Sequence, residues 1–214
     1  MDFKALKNAR WLKDIRFWIA FTLVLRLYGI TNPPIEISHN WRQTTVTMAA
    51  RNFHETDNRI LYPRVDIAGE KTGITGMEFP SLNYSIAIVS NLFGYQHWYG
   101  RLINLFITCL GMYFFYLLIK QQFNESLAFY ATLILCFSIW YTFGRKIMPD
   151  TFSMSFGIMS LYFGMNYLQK GQFQTLFFSC IFLLIGTLSK LPTVYLMVFY
   201  SLPFFSKQIE FKRK

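Results

Sequence analysis

The chain has 214 residues, of which 53% are hydrophobic and 20% aromatic, and it carries a formal net charge of +10. Only 15% of the residues are charged, whereas a soluble domain has about 25%. The apolar residues fall in long blocks, which indicates a membrane protein. The basic residues separate these blocks and form no continuous basic face, so the composition argues against nucleic-acid binding.

The first apolar block runs from about 17 to 30. It has no small-residue cleavage site, so we predict that it is retained as an anchor rather than removed as a signal peptide. Basic residues flank the first and last blocks, and such residues stay on the cytoplasmic side of a membrane. Both termini are therefore predicted to be cytoplasmic, held there by Lys4, Lys7, Arg10, Lys13 and Arg16 and by Lys207, Lys212, Arg213 and Lys214.

A long mixed stretch, 31–100, follows the first block and contains the short apolar run 82–94. That run is too short to span a bilayer and is more typical of a helix on the membrane surface. If this run lies on the surface, three parts of the chain face outward: the stretch 31–100, the turn around Asp150, and Lys190. The remaining blocks lie at about 101–119, 127–144, 151–169, 172–189 and 191–206.

We therefore predict an all-α polytopic membrane protein with about six transmembrane helices, forming a single domain over residues 1–214. Its long first outside loop, 31–100, is predicted to be periplasmic and to carry amphipathic surface helices near 40–54 and 81–94.

The segment "HNWRQTTVTMAARNF", residues 39–53, is polar and aromatic. At 100° per residue, one arc is mostly apolar and contains Trp41, Val46, Met48, Ala49 and Phe53. The opposite arc contains Gln43, Thr47, Ala50, Arg51 and His54. Arg42 falls inside the apolar arc, where a guanidinium must meet a carboxylate, a phosphate or lipid headgroups. A helix that only anchors the chain to headgroups is an equally good interpretation of this segment alone.

Several residues near the predicted outer surface could form a catalytic site. Glu36, His39 and Arg42 follow the first block at three-residue intervals. Such a set could bind a lipid-linked anion and activate a hydroxyl group. Glu78 in "MEFP" is either a site acid or the polar start of a helix, and Asp150 is either a site acid or the N-cap and dipole partner of a helix.

Six motifs occur in an order that resembles the N-terminal half of bacterial GT-C glycosyltransferases: "HNWRQTTVTMAARNF", "ILYPRVD", "GMEFPSLNY", "FGYQHWYGRLINL", "GRKIMPD" and "LSKLPTVYL". This group includes protein O-mannosyltransferases and lipid A aminoarabinose transferases. The resemblance implies a multi-pass enzyme of the bacterial inner membrane. Such an enzyme transfers a sugar from a polyprenyl-phosphate donor to an acceptor hydroxyl on the periplasmic side, without a nucleotide cofactor.

The resemblance also implies roles for individual residues. Glu36 takes the place of the catalytic acid of the first outside loop, and Asp150 matches the acid of the second. As our hypothesis, Glu36 is the general base, Asp150 binds the acceptor or a divalent cation, and Arg42, with Arg51, holds the donor phosphate. His39 and Glu78 are further predicted substrate-binding residues. Some relatives bind a divalent cation near their acids, so Glu36 and Asp150 are the candidate ligands. Phe79 stands where the aminoarabinose transferases have a lysine.

Two other interpretations stay open at this point. The chain is shorter than GT-C enzymes usually are, so it could be a non-catalytic module that binds polyprenyl phosphate, or a module whose C-terminal half a partner chain supplies. A small transporter is less favoured, because transporters carry ionisable residues at mid-span, and here Arg26 alone lies well inside a block.

Overall fold

A computed structural model describes residues 10–35 and 39–201. These residues are all-α, as predicted, apart from one isolated antiparallel bridge between Arg64 and Ile74. Short 3-10 helices cover Arg10–Lys13 and Leu191–Ser201. The α-helices of the described residues are α1 (Ile15–Leu27), α2 (Asn40–Glu55), α3 (Ser81–Phe93), α4 (Tyr99–Gln122), α5 (Glu125–Cys136), α6 (Ile139–Gly144), α7 (Pro149–Lys170) and α8 (Phe173–Ser189).

Some of the helix ends lie at residues that cap them. The side chain of Asp14 accepts a hydrogen bond from the Arg16 amide at the start of α1, at 2.9 Å. Asn124 does the same for the Leu127 amide at the start of α5, at 2.8 Å. Gly171 ends α7 in the left-handed conformation, with φ of 68°, which glycine adopts without strain.

Helix α4 is central and packs against α1, α3, α5, α6 and α7. Its 24 residues extend about 36 Å at 1.5 Å per residue, which is enough to cross a hydrocarbon layer of about 30 Å. Within the described residues it is the one helix with both the length and the hydropathy of a membrane span. Its buried residues include Gly100, Asn104, Thr108 and Gly111, and small or polar residues of this kind let membrane helices approach closely.

The structure divides one of the predicted apolar blocks. The block 127–144 contains α5 and α6, with a break at Phe137 and Ser138. The Ser138 hydroxyl accepts a hydrogen bond from the Tyr141 amide, at 3.4 Å, and so caps α6. A capping serine competes with continuous helix, and hydropathy does not register that competition.

The helices bring the first loop and the later turns to one end of the bundle, which we call the loop end. There the guanidinium of Arg101 at the start of α4 donates to the carbonyls of Ile30, at 3.1 Å, and Pro33, at 3.0 Å. Arg145, after α6, donates to the Gly29 carbonyl at 2.8 Å. At the opposite end, which we call the far end, Gln121 of α4 donates to Gln169 of α7 at 2.5 Å.

Glycine permits the close packing of α4 on α7. An added Cβ at Gly111 would lie 2.6 Å from the Cβ and 2.9 Å from the Cα of Ser155. The latter atom belongs to the backbone of α7, so the helices would have to move apart.

We predict that Gly111→Ala lowers the thermal stability of the purified protein in detergent. Alanine favours helix over glycine by about 1 kcal/mol, but overpacking costs about 1–3 kcal/mol, and the contact with backbone makes the second effect larger. Thermal unfolding followed by tryptophan fluorescence measures the difference. Gly76→Ala is the matched control, because an added Cβ there meets nothing within 4 Å. Equal midpoints for the two variants would contradict the proposed contact.

Candidate functional site

Helix α2 lies at the loop end and packs against α3. Val46, Ala49 and Phe53 are buried, as the helical arc predicted. Burial within the protein does not otherwise follow the arcs: Trp41 of the apolar arc is 73% exposed, whereas Gln43, Thr47 and Ala50 from the opposite arc are buried. The Gln43 side-chain oxygen accepts from the Ile147 amide at 3.2 Å and the Thr47 hydroxyl donates to the Gln43 carbonyl at 2.8 Å. The side-chain nitrogen of Gln43, Nε2, is buried without a hydrogen-bond partner among the described residues.

Arg42 meets a carboxylate, one of the partners predicted for it. Its Nη2 atom lies 2.6 Å from Oε1 of Glu78, and the two side chains are 35% and 37% exposed. The pair borders a narrow cleft between α2, α3 and the start of α7, which also contacts Thr45, Pro149 and Ser189. The cleft has a volume of about 20 Å³, which is about enough for one water molecule.

Asp150 lies beside this cleft in the first turn of α7. The N-cap of α7 is Met148 and Pro149 is the first helical residue, so the interpretation of Asp150 as the N-cap is wrong, while its place near the positive end of the helix dipole is as predicted. One carboxylate oxygen of Asp150 pairs with the ammonium of Lys190, directly after α8. The other oxygen, Oδ2, is buried without a hydrogen-bond partner among the described residues.

Buried side chains fix the turn that leads to Asp150. The Nδ2 atom of Asn104 on α4 lies 2.7 Å from the Lys146 carbonyl, 3.2 Å from the Met148 carbonyl and 2.9 Å from the Thr151 hydroxyl. The Gln43 side-chain oxygen accepts a hydrogen bond from the amide of Ile147, which lies between Lys146 and Met148 in the chain. The start of α7 is therefore attached to both α4 and α2, and Asp150 has a defined position relative to Arg42.

His39 precedes α2 with φ of 61°, and it is the one non-glycine residue with positive φ in the described ranges. Histidine is among the residues that tolerate this conformation. Its carbonyl accepts from the Gln43 amide at 3.1 Å, and its ring contacts Phe143 edge to face, with centroids 5.5 Å apart. Glu36 lies outside the described residues, so its predicted role as the catalytic base stays a prediction.

Arg51 is not brought together with Arg42 and Asp150. It follows Arg42 by nine residues on the same helix, a distance of roughly 13 Å along the axis. It pairs with Asp66 and, at 3.7 Å, with Glu55, and neighbouring Asn52 donates to Asp66 at 2.8 Å. These contacts attach the loop after α2 to the helix.

Of the two predicted cation ligands, the structure describes Asp150 alone. Across 10–35 and 39–201, no group of three or more His, Cys, Asp or Glu side chains is close enough to hold a metal. Asp150 with its unpartnered Oδ2 is the type of oxygen ligand that a hard cation takes. Glu36, its predicted partner, lies outside these ranges.

Lys190 is the site residue that the sequence analysis did not select. It was predicted only to face outward, because nothing local in "LSKLP" distinguishes a substrate-binding lysine from a charge at a membrane boundary. Its partner Asp150 lies 40 residues earlier in the chain. Gln43 and Asn104 were missed for the same reason, since their hydrogen bonds join helices that are distant in sequence.

Residues 78–209, more than half of the chain, match the family model of dolichyl-phosphate-mannose-protein mannosyltransferases. The match includes Glu78, Asp150 and Lys190. The chain has no significant match among curated proteins or among solved structures. The family match confirms the resemblance to GT-C membrane glycosyltransferases.

Proposed function

Because the chain belongs to the dolichyl-phosphate-mannose-protein mannosyltransferase family, we propose that it transfers a sugar from a polyprenyl-phosphate donor to an acceptor hydroxyl at the loop end. Family membership makes it a membrane glycosyltransferase that uses a lipid-linked sugar. The donor class and the periplasmic side of the bacterial inner membrane are parts of the proposal. The observation that best supports the donor class is the cleft flanked by the ion pairs Arg42–Glu78 and Asp150–Lys190.

In the proposed site, Arg42 and Lys190 hold the donor phosphate. A sugar linked to polyprenyl phosphate is a phosphodiester with one negative charge, and it can replace a carboxylate on either cation. Arg42 suits two oxygens at once, whereas Lys190 acts as a point charge. Both ion pairs are partly exposed, so each contributes about 1 kcal/mol or less and the phosphate can displace it. In the proposal Lys190, which follows the cleft residue Ser189, takes the role of the lysine that the aminoarabinose transferases carry at the position of Phe79.

The transfer step assigned to this site is a single displacement. Glu36 takes the proton of the acceptor hydroxyl, and the acceptor oxygen forms a bond to the anomeric carbon of the sugar. The bond from that carbon to the phosphate oxygen breaks, and polyprenyl phosphate leaves with the electron pair. The configuration at the anomeric carbon is inverted. Asp150, once Lys190 turns to the phosphate, is free to bind the acceptor.

A divalent cation, where one binds, would be held by Glu36 and Asp150. It would supply positive charge next to the departing phosphate. The proposal also includes an acceptor that carries a hydroxyl group and a partner chain that would supply a C-terminal half. The transfer assay with Glu36→Gln, described below, addresses both.

The proposed arrangement in the membrane is six spans with both termini in the cytoplasm. The orientation is supported by the position of three parts of the chain, which lie together at the loop end: the first loop, the turn that precedes Asp150, and residue Lys190. Lys120 and Lys170 close α4 and α7 away from that end, as basic cytoplasmic flanks should.

We expect Arg42→Ala and Lys190→Ala each to weaken binding of a polyprenyl-monophosphate sugar by about tenfold or more, since a hydrogen bond to a charged group contributes about 1.5–3 kcal/mol. Binding to the purified full chain in detergent measures this. Arg59→Ala is the matched control, because Arg59 is on the same loop and 75% exposed. A loss of binding in the control as large as in the two site variants would reject the assignment of the cations.

We expect Glu36→Gln to keep donor binding and to lose sugar transfer, because the amide cannot accept the proton of the acceptor hydroxyl. Sugar release and transfer are followed in the same samples. Turnover at the wild-type rate would exclude Glu36 as the base. Donor binding without turnover in the wild-type chain would instead favour a module that needs a partner.

The proposed topology puts the first loop and the turn between α7 and α8 on opposite sides of the membrane. Single cysteines at these two places, each introduced into a variant whose three native cysteines are replaced by serine, should therefore differ in labelling. A membrane-impermeant maleimide applied to intact spheroplasts should label Thr72→Cys in the first loop. It should label Gln172→Cys, between α7 and α8, only after permeabilisation. Labelling of Gln172→Cys in intact spheroplasts would overturn the proposed orientation.

A further inference from the structure

A larger cavity lies at the far end of the bundle, away from the candidate site. It has a volume of about 340 Å³ and lies where the start of α1, the last turns of α4 and the start of α5 meet. The mechanism proposed above uses none of its residues. We call it the far-end groove.

The mouth of the far-end groove is rich in charge. Three cations and two acids line it, which gives a net charge of +1: Lys13, Arg16, Lys120, Asp14 and Glu125. Arg16 pairs with Asp14 at 2.6 Å and Lys120 pairs with Glu125 at 2.8 Å. Both pairs are largely exposed, and exposed pairs hold their partners weakly. Lys13 makes no ion pair within the described part of the chain, so an incoming anion meets one uncommitted cation and two that can exchange partners.

The wall of the groove is aromatic and apolar. Tyr113 and Tyr116 on α4 are stacked, with ring centroids 6.4 Å apart, and Ile15 and Leu117 lie beside them. The Tyr116 hydroxyl donates to Glu125 at 3.1 Å. Tyrosine is enriched at the level of lipid headgroups because its ring is apolar and its hydroxyl is polar. The groove therefore combines a cationic mouth with a wall suited to the glycerol and upper acyl carbons of a lipid.

The position of the groove along α4 agrees with that chemistry. Lys120 lies in the last turn of α4, and this helix is longer than the hydrocarbon layer by several ångströms. Its last turn is then at headgroup level, while Tyr113, two turns earlier, is at the level of the acyl chains. Basic pockets between membrane helices are known binding sites for anionic headgroups.

We propose that the far-end groove binds the phosphate of an anionic phospholipid from the adjacent leaflet. Lys13, Arg16 and Lys120 contact the phosphate, and the stacked pair Tyr113 and Tyr116 packs against the glycerol and upper acyl carbons. The bound lipid joins the start of α1 to the end of α4. This assignment is independent of the transfer reaction and stands or falls without it.

The test is native mass spectrometry of the full chain in neutral detergent with equal amounts of dioleoylphosphatidylglycerol and dioleoylphosphatidylcholine. The wild-type chain should retain the anionic lipid preferentially. Lys13→Gln and Lys120→Gln should each lower its occupancy about fivefold, from the attraction of one cation near a membrane surface. Lys170→Gln is the matched control, because it removes the same charge from an exposed residue at the far end that does not line the groove.

Three outcomes would overturn the proposal. Equal retention of the two lipids by the wild-type chain would remove the evidence for an anion site. An equal loss of lipid in Lys170→Gln would show a general effect of charge. Displacement of the lipid by millimolar inorganic phosphate would assign the groove to a free anion from solution instead.

Discussion

The structure at the loop end depends on one constraint: backbone polar groups near the membrane must find partners within the protein. Arg101, Asn104 and Gln43 meet this need for two separate segments. Arg101 donates to the carbonyls of Ile30, Asn32 and Pro33, while Asn104 and Gln43 hold residues 146–148. One segment leads to Glu36 and the other to Asp150. Three side chains on α2 and α4 therefore hold the two segments that precede these acids in the chain.

The same constraint explains why α2 has distinct roles at its two ends. Its first turns carry Arg42 to the cleft, and its last turns, through Arg51 and Asn52, hold the loop around Asp66. Gln43 lies buried between α2 and the turn at Ile147, so the first turn of the helix cannot rotate without leaving a buried amide unsatisfied. The backbone at Arg42 is consequently held in position, while its side chain is partly exposed.

The sequence predicted what depends on local composition. The blocks 101–119, 151–169 and 172–189 match α4, α7 and α8 to within a few residues, since apolar length and helix ends are local properties. The apolar arc of α2 does not show which residues are buried within the protein, because Gln43 and Thr47 count as polar until a hydrogen-bonding partner is known. Lys190 could not be assigned to the site, because its partner Asp150 is reached only after α7 and α8 have packed. The charge on Arg42 did indicate an anionic partner, but not that Glu78 would be that partner.

In the proposed mechanism the two ion pairs keep the empty cleft close to neutral, since each cation already has a carboxylate. A donor phosphodiester adds one negative charge to two cations and two carboxylates, so a carboxylate that gives up its cation to the phosphate is left without a counter-charge. The acids released by the cations remain nearby, because Asp150 is fixed in the first turn of α7 and Glu78 just before α3. An acceptor hydroxyl is a neutral ligand that a released carboxylate can bind by accepting its proton in a hydrogen bond. In this proposal donor binding frees a carboxylate for the acceptor, so we expect the donor to bind first.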